Sequence, residues 1–229
     1  MLDILVIAPH PDDAELGMGG AILKFQEEGL RIGVLDLTSG EPTPHGSPEI
    51  RQRETAAATE ILGLAWRGNL GLENRSLEAT LENRAKLAGV IRQQRPKWLF
   101  APYWQDAHPD HTAATKLVED SRFWAKLTKT DLPGEAVHPA RIYNYFSVHL
   151  RLAPQPAFIL DISPQWEQKL AAISCFESQF VTGRPTTPRS FLDGLREEAA
   201  YWGGKIGAKY GEPFASREPL GLMTMAGLM

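Results

Sequence analysis

The sequence predicts an α/β fold: a Rossmann-like, mostly parallel sheet with helices on both faces. Three observations predict it. Short aliphatic runs without polar alternation recur, as in Ile4-Leu5-Val6-Ile7-Ala8, and such runs read as strands buried on both faces. Amphipathic stretches of helical length separate them. The two patterns alternate through the first half of the chain, which favours parallel strands joined by crossover helices.

The first strand covers 4–8 and ends before His10-Pro11. Residues 14–28 form the first helix, with Leu16, Ala21, Ile22 and Phe25 at helical spacing and Gly29 as its stop. A second strand covers 31–37, and a Gly- and Pro-rich loop, 38–46, leaves it. Pro48 and Glu49 open a helix that runs to Leu62 and stops at Gly63. A weak strand at 65–70, a helix at 77–94 and a buried strand at 97–101 follow. Residues 103–111 read as the loop leaving that strand, and 112–125 as the next helix. Strands at 141–148 and 158–162 come next, with Ser163 capping a helix whose first position is Pro164. An ordered loop, 180–189, and a last helix, 190–203, lead into a Gly- and Pro-rich tail. No repeat or internal boundary interrupts 1–229, so one domain is expected.

At 229 residues the chain can bury a sizeable core, and its net charge of −4 offers no basic footprint for nucleic acid or an anionic membrane. A small-molecule partner is expected. Cys175 is the only cysteine, which excludes an intramolecular disulfide and a thiolate zinc cluster and favours a reducing compartment. The first strand begins almost at Met1, and no apolar run approaches the ~20 residues that span a bilayer, so a cytoplasmic protein without a membrane partner is expected.

Chemistry concentrates at two strand ends. His10-Pro11-Asp12-Asp13 follows the first strand, at the edge where open α/β sheets place their active sites. His108-Pro109-Asp110-His111 follows another. A catalytic zinc takes three nitrogen or oxygen ligands and keeps a position open for water, and His10, Asp13 and His111 supply three. Asp12 is then free to act as general base and His108 as general acid, with Asp110 orienting an imidazole. The same ligand types suit Fe²⁺, Co²⁺ or Mn²⁺. Gly17-Met18-Gly19-Gly20, with Asp36 further on, has the look of a dinucleotide-binding fingerprint, but the glycines fall inside the predicted helix and acidic residues stand where a pyrophosphate needs bare N–H groups. A nucleotide-binding oxidoreductase is therefore set aside, and these glycines read as sites of close helix–sheet packing.

The stretch from Ala8 to Gly17, Ala-Pro-His-Pro-Asp-Asp-Ala-Glu-Leu-Gly, together with His108-Pro109-Asp110-His111, resembles the LmbE/PIG-L zinc-dependent N-deacetylases, which act on N-acetylglucosamine conjugates. Asp36-Leu37-Thr38, Arg51-Gln52-Arg53-Glu54, Phe100-Ala101-Pro102-Tyr103, Asp161-Ile162-Ser163 and Glu177-Ser178-Gln179-Phe180 resemble the bacillithiol-biosynthesis branch in the same order. The resemblance implies zinc on His10, Asp13 and His111, Asp12 as base, and His108 assisting at the oxyanion and leaving group. It also implies hydrolysis of N-acetylglucosaminyl malate to glucosaminyl malate and acetate, and a homo-oligomer, a hexamer, in which the apolar 220–229 tail is buried between subunits or packs on its own domain. The mycothiol branch has a tyrosine where this chain has Asp106, so no tyrosine-dependent step is carried over.

The remaining pocket residues are argued from their chemistry. Arg51 suits a substrate carboxylate or the oxyanion, against the plainer reading of a salt bridge to Glu41 or Glu54. Tyr103 and Trp104 suit a pyranose face, and Arg184 an acidic aglycone. His45 is a candidate lid residue or simply solvated; His138 and His149, without carboxylate neighbours, read as structural, and Cys175 as core. A non-catalytic, metal-dependent sugar-binding protein is the alternative function, and the presence of Asp12 and His108, dispensable for holding a metal, counts against it.

Overall fold

The computed structural model describes residues 1–147, 149 and 154–221. In chain order the elements are β1 (Ile4–Ala8), α1 (Asp13–Glu27), β2 (Ile32–Thr38), α2 (Pro48–Leu62), β3 (Trp66–Leu72), α3 (Leu81–Gln94), β4 (Trp98–Pro102), α4 (Pro109–Ala125), β5 (Arg141–Tyr145), β6 (Phe158–Asp161), α5 (Trp166–Ser174), α6 (Glu177–Phe180), α7 (Phe191–Gly204) and β7 (Gly211–Ala215). β1 lies inside the sheet with every residue buried. Its Leu5 and Ile7 pack with Leu87, Ile91, Leu117 and Val118 of α3 and α4. Ile4, Val6 and Ala8 point the other way, into a core with Met18 and Ile22 of α1. Burial on both faces is why the run is continuously apolar instead of alternating.

The strand order is β3-β2-β1-β4-β5-β7-β6. β1 pairs in parallel with β2 and β4, and those with β3 and β5, while β7 runs antiparallel between β5 and β6. Successive strands β2 and β3 lie to one side of β1, and β4 and β5 to the other. The crevice at the carboxyl ends of β1 and β4 is thus a topological switch point, the usual ligand position in such sheets. Both metal-type motifs empty into it. No described helix is long and apolar enough to cross a membrane.

Departures from the sequence expectations have physical causes. α4 begins at Pro109, three residues earlier than expected, because His108 caps it through Nδ1 and proline is preorganised for the first helical turn. Ser163 does not cap α5, whose N-cap is Gln165 with no side-chain bond. The serine hydroxyl instead accepts from the Lys209 and Tyr210 backbone N–H groups at 3.1 and 3.0 Å, fastening the approach to β7. β7 itself falls in the expected irregular tail. Its Gly-Glu-Pro-Phe-Ala sequence carries almost no strand signal, and Pro213 is tolerated beyond the β5 ladder, whose pairs are Asn144↔Ala215 and Tyr145↔Phe214. Leu220 is exposed, and the rest of the apolar tail lies outside the described residues, as does Val148 of the expected strand at 141–148.

Candidate active site

The chain leaves β1 through Pro9-His10-Pro11 and turns sharply at Asp12, whose φ of 126° is strained for a residue with a side chain. Such a conformation costs about 1–3 kcal/mol and persists only where its surroundings dictate it. Here Arg51 dictates it. Its Nη1 donates to the Pro11 carbonyl at 2.5 Å and to Asp12 Oδ2 at 2.7 Å, while Nε donates to Glu41 at 3.1 Å. Arg51 is 3% exposed, so its charge is spent within the protein on these carboxylates. Burial, and then the Asp13 charge, push the Asp12 carboxyl up to about 7 against the pull of Arg51 and His10.

The turn places Asp13 at the first position of α1, with Oδ2 3.1 Å from His10 Nδ1 and 3.3 Å from His111 Nε2. His111 comes from the first turn of α4 and is wholly buried. The opposite nitrogen of each ring faces its own carboxylate: His10 Nε2 lies 3.1 Å from Asp110 Oδ2, and His111 Nδ1 3.0 Å from Asp106 Oδ2. In the neutral tautomers whose ring N–H groups donate hydrogen bonds to Asp110 and Asp106, His10 Nδ1 and His111 Nε2 turn their lone pairs to the side of Asp13, where an ion would be held. Asp110 also accepts from the backbone N–H groups of Arg75 and Leu77, which fixes it in place.

These atoms fit a divalent metal. Among the described residues His111 Nε2 is buried without a hydrogen-bond partner, beside a carboxylate oxygen. Bonds of about 2.0–2.1 Å to a tetrahedral ion set neighbouring ligand atoms about 3.3 Å apart, close to both separations found here. Without an ion, burial lowers the His111 pKa, yet Asp13 and Asp106 overcome it and raise the group to about 10. His108 stays outside the ligand triangle, its ring centroid 4.9 Å from that of His10 and 4.8 Å from that of His111. Its Nδ1 accepts the Asp110 backbone N–H at 3.2 Å, so in the neutral ring the proton resides on Nε2.

A cavity of about 260 Å³ opens on this centre, and His10, Asp12, Asp13, Arg51, His108 and Arg184 line it. Tyr103 does not. Its ring is buried against Trp104 and Phe146, with centroids 4.2 and 5.0 Å away. His45 is off the cavity and abuts Gly183, so the 38–46 loop meets the 180–189 loop. Residues outside the expected set also reach the site, among them His149, which the sequence marks as structural. His149 lines the cavity with its ring 5.5 Å from those of His108 and His111, and Arg75 lines it from a left-handed backbone, φ 67°. Asp106 carried one usable signal, its place just before the second motif. His149 and Arg75 carried none, because their positions follow from strand order. A larger cavity, about 630 Å³ between α2 and β3, shares Arg51 but has no histidine on its lining.

A family model described as GlcNAc-PI de-N-acetylase, PIG-L, matches residues 5–121, from β1 through the second motif. The chain belongs to the PIG-L family. Diacetylchitobiose deacetylase of Thermococcus kodakarensis is 31% identical over 91% of this chain and 80% of its own length. 4-Oxalmesaconate hydratase of Pseudomonas putida is 28% identical, covering 76% and 73%. A probable N-acetyl-alpha-D-glucosaminyl L-malate deacetylase of Bacillus anthracis is 25% identical, covering 85% and 88%. The crystal structure of a conserved protein, TT1542, from Thermus thermophilus superposes with a TM-score of 0.89 at 42% identity, covering 97% and 98% of the two chains. The span matched by the PIG-L model contains both metal-type motifs and Arg51.

Proposed function

We propose that this protein hydrolyses the N-acetyl group of an N-acetylglucosamine conjugate, with zinc held by His10, Asp13 and His111. One observation carries the reading: a carboxylate and an imidazole, Asp12 and His108, stand beside the ligand triangle without belonging to it. Bound zinc supplies Lewis acidity, which polarises an amide carbonyl and acidifies water. Asp12, outside the ligand triangle and aimed by Arg51, takes the proton of the attacking water. His108 presents Nε2–H to the developing oxyanion as a hydrogen-bond donor, and the proton that Asp12 has taken passes to the leaving amine as the C–N bond breaks. Asp106 and Asp110 hold the two ligand imidazoles in the tautomers that binding needs.

Charge on the cavity wall supports an acidic aglycone. Arg75 donates to the Pro42 carbonyl at 2.6 Å and Arg184 to the Gln179 carbonyl at 2.7 Å, and among the described residues neither makes an ion pair. Two guanidinium groups without a protein carboxylate suit a dicarboxylate such as malate. N-acetylglucosaminyl malate is therefore the substrate proposed, within a homo-oligomer, the hexamer, whose size sedimentation would measure. Tyr103 has no part in the proposal.

The same two arginines favour a second reading. A metal, a base and a cationic wall also suit addition of water to an unsaturated polycarboxylate, the class of compound on which the Pseudomonas relative acts. The deciding experiment follows acetate release from N-acetylglucosaminyl malate, diacetylchitobiose and free N-acetylglucosamine, with zinc and after chelation. Chelator-sensitive release, fastest from the malate conjugate, is expected. Release from diacetylchitobiose alone would discard the acidic aglycone, and hydration of 4-oxalmesaconate without acetate release from any sugar would replace the deacetylase.

A further inference from the structure

Helix α1 is interrupted. Met18, at φ −152° and ψ 24°, is not helical, so the turn carrying Asp13, Glu15 and Leu16 is separated from the body of the helix. A break in a buried helix frees backbone groups that must find partners. One ion pair supplies them on both sides. Glu212, reaching across from β7, accepts the Gly20 and Ala21 N–H groups at 2.9 and 2.7 Å and so caps the downstream segment. Lys169 of α5 donates to the Leu16 carbonyl upstream at 2.8 Å and to Glu212 at 2.6 Å.

Both side chains are almost fully buried, at 4% and 2% exposed. Desolvation makes such a pair weak evidence for stability, since an apolar pair of similar volume serves at least as well. The surroundings point to positioning. A Cβ on Gly19 would come within 3.2 Å of the Lys169 stem, so the glycine leaves the lysine a path to the break. Arg67 of β3 grips Glu15 at 2.6 Å, so the same short turn is held by buried charges from two elements. The non-helical Met18 weakens the coupling between this turn and the body of the helix, so contacts from other elements gain weight in aiming it.

We propose that the Lys169–Glu212 pair is a positioning device: it holds the turn bearing Asp12 and Asp13 in the geometry that the metal and the attacking water require. The inference rests on the metal-site reading. Its test uses the full chain and the variants Lys169→Met, Glu212→Gln and the neutral double variant, with three readouts: zinc affinity of the metal-free protein by calorimetry, its Tm, and the kcat and KM of acetate release. Each single variant should lower Tm and weaken zinc binding about tenfold. The double variant should regain much of the Tm, since no unpaired charge stays buried, yet keep the weakened zinc affinity and a reduced kcat at unchanged KM. Leu117→Ala, in the core on the other face of the sheet, is the destabilised control and should bind zinc as the parent does. Where Lys169→Met fails to fold, Glu212→Gln keeps the side-chain volume and one acceptor oxygen for the Gly20 and Ala21 N–H groups.

Parental zinc affinity in the double variant would overturn the proposal, as would a control whose affinity falls with its Tm. Zinc binding is read without substrate. A weakened affinity with no acetate release from the parent would therefore sink the deacetylase reading and leave the positioning role standing.

Discussion

In the proposed mechanism the carboxylate that takes a proton from water must stay out of the ligand set, and Asp12 lies outside the candidate group of His10, Asp13 and His111. The strained φ at Asp12 and the Arg51 bonds separate the two side chains although they are adjacent in sequence. Asp12→Asn should keep parental zinc affinity and lose about 10²–10⁴ in kcat, the usual share of general acid–base catalysis; calorimetry beside acetate release would check both halves. Asp106 acts through His111, so Asp106→Ala should weaken zinc binding about 10–100-fold and leave the fold intact, read by zinc titration and circular dichroism. His10, Asp12, Asp13, His108 and His111 were legible because each motif is contiguous and ends a recognisable strand. Asp106 was marked only by its place just before the second motif, where the mycothiol branch has a tyrosine, and His149 had no carboxylate neighbour in sequence to mark it.

At the scale of elements, α1 and α4 deliver the site from their first turns, where backbone N–H groups and helix dipoles favour carboxylates. The run Gly17-Met18-Gly19-Gly20 serves packing. A Cβ at Gly17 would overlap the Tyr145 ring, whose hydroxyl donates to the Ile7 carbonyl of β1. Gly17→Ala should therefore destabilise the protein by about 1–3 kcal/mol through overpacking, measured by urea unfolding. β3 contributes a second buried constraint. Arg67 pairs with Asp36 of β2 at 2.9 Å as well as with Glu15, and Arg67→Met should cost about 3–5 kcal/mol by leaving both carboxylates buried without it. The helix over 14–28 was legible from its periodicity and Gly29, but its break was not, because Met18 is a good helix former in isolation.

The whole molecule brings the two motifs together through strand order. β1 and β4 are neighbours in the sheet, so segments about a hundred residues apart share one crevice. The same order carries Arg75, from the segment after β3, and Arg184, from the loop after α6, to one cavity wall. Arg75→Glu should lower kcat/KM for N-acetylglucosaminyl malate roughly 10–100-fold, as expected for a lost charge-assisted hydrogen bond, and leave diacetylchitobiose almost unaffected; parallel acetate assays would check the contrast.

What the sequence by itself determined is local: buried aliphatic runs that can only be interior strands, Gly and Pro at element ends, and two compact clusters of metal-type ligands. Those signals act within a few residues, so they survive without knowledge of the partner. Only the tertiary structure decided which nitrogen of each histidine faces the metal position, that Arg51 serves Asp12 and Glu41, and that a strand lies in the Gly- and Pro-rich tail. Each of these depends on a contact set by sheet order, as when Glu212 caps Gly20 from 192 residues away, and no local pattern encodes such a pairing.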